Sequence, residues 1–290
     1  MKSLWIVLAV MLVFGISAAY AIEIPTNVSI DNDPYITSSS LTDSDGGTLQ
    51  VWANDSRLFN CTGTASDLDG FGDIVNINAT IYGAASNLSA ADSAGLHYTN
   101  SSCSRFGGSG NTTSFNCAFT VHHNTQNSTW ICNTSVNDTA SRFNSNTSTN
   151  SVDVFKSIAV PLQTIAFGSY AHSQNSGTTD KNITINNTGN VAFNVTLDAY
   201  RQSGTPADNF SMSCTVGNLN VTSIVFATTP GVAALSKTAL NDSPTTIPAN
   251  VSFSPYGTTA FVPFSFYLGI VIPAIGPGGA CNGYLDVSAS

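Results

Sequence analysis

Few side chains in this 290-residue chain are of types that do chemistry, and their spacing limits what each could do. Asp67-Leu68-Asp69-Gly70-Phe71-Gly72-Asp73 puts three carboxylates around a tight turn, a donor set suited to Ca²⁺. It lacks the full ligand series and the closing Glu of an EF-hand loop, so it reads as a plain Asp-Gly turn. Asp31-Asn32-Asp33 and Asp43-Ser44-Asp45 are weaker versions of the same pattern. His97, His122, His123 and His172 stand outside any G-x-S-x-G elbow or H-E-x-x-H helix and read as lone surface histidines. The cysteines form no close C-x-x-C pair, and the adjacent His122-His123 are badly spaced for zinc. Paired carboxylates for glycoside hydrolysis need not be neighbours in sequence, but the acidic residues here sit mostly in turns. The expectation is therefore no catalytic residue, no cofactor and no metal ligand, in a protein that is not an enzyme.

A different residue type carries more information. The motif N-x-S/T occurs eighteen times, at Asn27, Asn54, Asn60, Asn78, Asn87, Asn100, Asn111, Asn127, Asn133, Asn137, Asn146, Asn182, Asn186, Asn194, Asn209, Asn220, Asn241 and Asn250. Random placement of this Asn, Ser and Thr content would give roughly seven. Strand parity weighs in as well. Val75, Ile77, Ala79 and Ile81 would share one face of a strand and leave Asn78 on the other; Val191, Phe193, Val195 and Leu197 do the same for Asn194. Trp130, Cys132, Thr134 and Val136 oppose Asn133 and Asn137. Only an exposed Asn can carry a glycan, so this parity predicts N-glycosylation.

Glycosylation requires export, and the N-terminus supplies a signal for it. Lys2 precedes an apolar run from Leu4 to Val13, and Ala19-Tyr20-Ala21 forms an A-x-A cleavage site. Cleavage after Ala21 would start the mature chain at Ile22; kept, the same segment would be an anchor helix. Phe261 to Ile275 is interrupted by Pro263 and Pro273, so no span is expected in the mature chain. Only 9% of residues are charged, 17 acidic against 8 basic for a net charge of −9. No basic cluster exists to neutralise phosphates, which argues against nucleic acid as a partner.

An exported chain with six cysteines is expected to form disulfides. Cys61, Cys103, Cys117 and Cys132 lie in the first half and Cys214 and Cys281 in the second. Four cysteines allow three pairings, and spacing favours 61 with 132 and 103 with 117, leaving 214 with 281. On the chain-entropy model each long bridge contributes about 4 kcal/mol and the short one about 3.

The positioning elements read as strands. Candidates in the first half lie near 27–30, 48–52, 58–65, 74–81, 114–121, 129–136 and 152–155, separated by turns such as Asp43-Ser44-Asp45-Gly46-Gly47. The polar tract 141–151 reads as a loop. A second series follows near 158–167, 181–186, 191–199, 210–215, 221–226, 250–253, 262–272 and 284–287, with Asn187-Thr188-Gly189-Asn190 as a hairpin turn in which Gly189 can take positive φ. The expected organisation is a signal peptide at 1–21, a β-sandwich with two disulfides at 22–156 and a second sandwich with one disulfide at 157–290.

Trp130-Ile131-Cys132-Asn133-Thr134-Ser135-Val136-Asn137-Asp138 resembles the F strand of immunoglobulin-like domains, where an aromatic stands two residues before the second Cys. Cys61 then looks like the B-strand partner. Trp130 replaces the usual Tyr, so a corner hydrogen bond would come from the indole N–H, and no Trp follows Cys61 by ten to fifteen residues as in antibody domains. In the second half, Ile165-Ala166-Phe167-Gly168, the run from Ile185 to Leu197, and Ile272-Pro273 with Gly276-Pro277-Gly278-Gly279-Ala280-Cys281-Asn282-Gly283-Tyr284 are similar to a repeat of secreted archaeal and bacterial surface proteins. The resemblances imply an all-β fold of two tandem Ig-like antiparallel sandwiches, secreted or at the cell surface, in a protein of archaeal type. A structural or adhesive envelope component is expected, with itself, other surface proteins or glycans as partners. The alternative is a carbohydrate- or receptor-binding module using Tyr256, Phe261 and Tyr267 as a stacking platform.

Overall fold

In the first half of the chain apolar residues alternate with Asn, Ser and Thr, a period that sends one face of each strand inward. The computed structural model describes residues 30–162 and 164–290, so the expected signal segment, Asn27 and most of the first expected strand lie outside the described residues. Eight strands follow: β1 (Tyr35–Asp43), β2 (Ser56–Ser66), β3 (Ile74–Gly83), β4 (His97–Asn100), β5 (Ser104–Ser109), β6 (Thr112–His122), β7 (Thr129–Asp138) and β8 (Phe143–Ser151). They form two antiparallel sheets, ordered β1-β2-β6-β5 and β4-β3-β7-β8. Phe59, Phe115, Ile77, Ile81 and Trp130 meet in the core between them. A bulge between Ile74 and Asn76 corrects one parity assignment: Ile74 points inward and Val75 is exposed.

Several stretches of this half depart from expectation: β4 and β5 had no counterpart among the expected strands, and 48–52 holds no strand, only a bridge at Leu49. The tract read as a loop contains an edge strand, β8, paired along its length with β7. FNSNTSTNS shows no alternation because most of it is solvent-facing, and its order comes from the neighbouring strand's backbone. β1 was not anticipated for the same reason. Its hydroxyls bond across to β2, Ser38 Oγ to Thr64 Oγ1 at 2.6 Å and Ser40 Oγ to Thr62 Oγ1 at 3.0 Å. Conversely, 152–155 is no strand: Val152 bridges Leu49, and the chain then runs on as a connector.

The second series comprises β9 (Ile158–Ala159), β10 (Lys181–Asn187), β11 (Phe193–Arg201), β12 (Phe210–Val216), β13 (Asn218–Asn220), β14 (Ile224–Ala227), β15 (Thr238–Ala239), β16 (Thr245–Val251), β17 (Phe264–Ile270) and β18 (Gly278–Ala289). Its sheets are ordered β15-β14-β17-β10-β9 and β13-β12-β18-β11-β16. Ile183, Ile185, Leu197, Phe266 and Leu268 fill the core between them. β18 is three times the length its local pattern suggested, because Gly278, Gly279 and Gly283 hide it. Gly283 is required by packing, since a Cβ there would lie 1.9 Å from the Ser211 carbonyl oxygen.

β10 and β11 belong to different sheets, so Asn187-Thr188-Gly189-Asn190 is an inter-sheet corner and no hairpin. Gly189 serves close approach: a Cβ would stand 2.1 Å from the Phe155 carbonyl oxygen. The protein is thus all-β, two antiparallel sandwiches in tandem, and no helix among the described residues is long and apolar enough to cross a membrane.

Candidate functional site

The disulfides define what each sandwich holds rigid. Cys61 on β2 is joined to Cys132 on β7, tying the two sheets of the first sandwich through its centre. Cys103, in the loop before β5, is joined to Cys117 on β6. Cys214 and Cys281 are joined across adjacent strands β12 and β18, so this bridge staples one sheet instead of closing the sandwich. Beside Cys132 the fully buried Trp130 donates its indole N–H to the Gln126 carbonyl oxygen at 2.8 Å, a corner bond reaching four residues upstream. Its ring meets Phe59 edge-on at 6.5 Å.

On this frame the asparagines sort into two populations. Asn54, Asn87, Asn111, Asn127, Asn146, Asn182, Asn194, Asn209, Asn220, Asn241 and Asn250 are exposed, Asn60, Asn78, Asn100, Asn133, Asn137 and Asn186 are half-buried, and no described sequon Asn is buried. Outside sequons Asn124, Asn187 and Asn190 are fully buried. The amide nitrogens differ in the same sense. Asn150 Nδ2 donates to both Leu41 O and Gly47 O, and Asn187 Nδ2 to both Val191 O and Val251 O, so both hydrogens are committed. Among the described sequons only Asn100 donates from Nδ2, to Ala118 O at 3.1 Å. Nδ2 is the atom a glycan would occupy, so amides with structural duties fall outside the motif.

Two of the buried asparagines, Asn124 and Asn190, instead fasten one sandwich to the other. Asn124, in the turn between β6 and β7, donates to Ser254, Pro255 and Thr258 carbonyl oxygens at 3.3, 3.1 and 2.8 Å. His123 beside it sits 3.2 Å from Ser254 Oγ, with its ring 5.2 Å from Phe261. On the other side of the junction Asn190 accepts from Phe155 N–H at 2.8 Å and donates to Asp153 O at 2.9 Å, while Thr188 bonds Ser157. Sequence reasoning picked out 187–190 for a turn and missed Asn124 entirely; its partners lie some 130 residues away.

Two of the four histidines expected at the surface are not there. His97 and His123 are buried, His122 is half-buried, and His172 alone is exposed. His97 Nδ1 lies 3.0 Å from Asp92 and its ring stacks on Tyr82. Burial, helped by the charge of His122, holds the His123 imidazole below its usual pKa. The expected aromatic platform is largely consumed: Tyr256 packs on Phe253 and Phe261 on His123, both half-buried. A cavity of about 390 Å³ opens in the second sandwich, where Leu162, Ile165 and Phe167 face Leu268, Tyr284 and Leu285.

The acidic turn joins β2 to β3. Asp67 is fully buried, its Oδ1 accepting the Asp69 N–H at 2.9 Å. Carboxylate oxygens of Asp67, Asp69 and Asp73 lie within 4.8 Å of one another, and Asp73 is equally close to Asp138 at the end of β7. Burial pushes the Asp67 carboxyl above its usual range against the pull of the Asp69 N–H, and the charges of Asp73, Asp69 and Asp138 add to the rise.

No family model matches the chain, and no curated protein matches it. Among solved structures the chain is similar to one from the CsuC–CsuE chaperone–tip adhesion subunit pre-assembly complex of the archaic chaperone-usher Csu pili of Acinetobacter baumannii. The identity is 14%, the TM-score 0.34, and the similarity covers 87% of this chain and 91% of the other. That is too distant to say what this chain does.

Proposed function

We propose that the protein is a non-enzymatic structural or adhesive component of a cell envelope or surface appendage, exported by its N-terminal segment and heavily N-glycosylated. Its domains would be 22–156 and 157–290, meeting at Lys156. The observation that carries this reading is the segregation of the asparagines. Sequon amides stand on the surface of both sandwiches with Nδ2 uncommitted except at Asn100, whereas amides that hold the fold together are outside sequons. A glycan shell of this kind suits a chain in which only 9% of residues are charged, since hydration must come from something other than ionic side chains.

The direct test is the intact mass of protein secreted by its native host, before and after enzymatic or chemical deglycosylation and then reduction. We expect a native mass well above that of the chain from Ile22, falling to near it on deglycosylation, with six further hydrogens gained when the three bridges are reduced. Site mapping should find Asn100 the least occupied, because one of its Nδ2 hydrogens is already committed. A native mass equal to the bare chain would refute the glycan coat. Recovery only as free monomer in the medium, with none in envelope fractions, would refute the envelope role.

A further inference from the structure

Asp67 and Asp138 are buried carboxylates, and each keeps an oxygen without a hydrogen-bond partner. Asp67 is 0% exposed with Oδ2 unpartnered; Asp138 is 2% exposed, its Oδ1 accepting Arg142 N–H at 2.8 Å while Oδ2 is unpartnered. A buried anion left in that state is costly, and this fold neutralises another one conventionally, with Arg57 3.0 Å from the buried Asp43. Around Asp67 the near neighbours are more carboxylates. Asp69 and Asp73 present oxygens within 4.8 Å of it and of each other, while Asp138 lies within 4.8 Å of Asp73 in a separate group. Besides the Asp69 N–H to Asp67 Oδ1 bond, the turn is held in shape by backbone bonds, Gly70 N–H to Asp67 O, Phe71 N–H to Gly110 O and Asp73 N–H to Gly70 O.

We propose that Asp67, Asp69 and Asp73 bind a calcium ion at the β2–β3 turn. An all-oxygen, strongly anionic set selects a hard cation over zinc or copper. Oxygens up to 4.8 Å apart fit opposite sides of a sphere with Ca–O bonds of about 2.3–2.6 Å, wider than the roughly 2.1 Å that Mg²⁺ demands. Asp69 is exposed, which leaves the ion a solvent side where water completes the coordination. The inference stands apart from the glycan coat, as it uses no sequon and is read on protein whether or not it is glycosylated.

The test is calorimetric titration of the full chain with CaCl2 after chelator treatment, at constant ionic strength, with thermal melts in parallel. We expect one site with Kd of about 0.1–1 mM, the range of extracellular modules, and a melting temperature higher by about 3 °C in 5 mM Ca²⁺. Mg²⁺ should bind at least tenfold more weakly. Asp69→Asn removes an exposed ligand and should weaken Ca²⁺ about tenfold or more, with its thermal melt in chelator reporting that it folds. No heat and no melting shift up to 20 mM CaCl2 would overturn the proposal, as would an Asp69→Asn protein that binds Ca²⁺ like the wild type. An equal response to Mg²⁺ would point to charge screening and overturn it too.

Discussion

Trp130 shows how one side chain ties a local motif to the fold. Its position two residues before Cys132 is visible in sequence, and its indole N–H finds the Gln126 carbonyl oxygen at 2.8 Å while the ring lies buried between Phe59 and Tyr98. Trp130→Phe removes that donor, leaves the carbonyl under-satisfied and opens a small void. We expect a loss of about 2–3 kcal/mol in chemical denaturation with the Cys61–Cys132 bridge intact. A loss below about 0.5 kcal/mol would mean that the corner bond is made equally well by water. The same residue-level logic separates the amides: Asn187 and Asn150 cannot spare a hydrogen for a sugar, and neither is followed two positions on by Ser or Thr.

At the scale of elements, legibility followed burial. β3, β6, β7, β10 and β17 each bury one face, and their alternation made them readable to within a few residues. β8 and β1 carry Ser, Thr and Asn on both faces or pair at an edge, and backbone hydrogen bonding to a neighbour leaves no trace in side-chain pattern. The corner 187–190 was noticed for its residue types and misread, because a turn within one sheet and a turn between two sheets use the same residues. Its distinguishing requirement is space. Gly189→Ala would drive a methyl into the Phe155 carbonyl and Ser157 N–H, so we expect a loss of about 2–3 kcal/mol. Gly47→Ala, with nothing within 4 Å of its Cβ, should change stability by less than about 0.5 kcal/mol. Equal effects in thermal melts would show that the connector yields to the methyl.

For the molecule as a whole, the junction between sandwiches is polar and holds the buried His123. His123 is held below its usual pKa by burial and by His122, and it packs on Ser254 and Phe261 across the junction. A depressed histidine favours the folded state in its neutral form. Its contribution is full above the unfolded value of about 6.5 and falls as pH drops from there toward the lower folded value. Wild-type stability should therefore decline between pH 7 and pH 5 more steeply than that of His123→Gln, measured by denaturant titration at each pH. Identical slopes would exclude His123 as the titrating group.

Several properties were settled by local sequence. Which residues of a buried strand face inward follows from a period of two, and the same period put the sequon asparagines of β3, β7 and β11 outward. The even division of cysteines and the aromatic before Cys132 were equally plain. Only the tertiary structure brought Asp138 to the turn at Asp67, Asn124 to Ser254 and Asn190 to Phe155. Those contacts join residues 35 to 130 positions apart, and no local period records them. Whether a carboxylate or an amide is buried with its partners or without them depends on chain crossings that short-range patterning does not encode. That is why the acidic turn read as an ordinary turn, and why the unpartnered Asp67 oxygen came to light only in the folded chain.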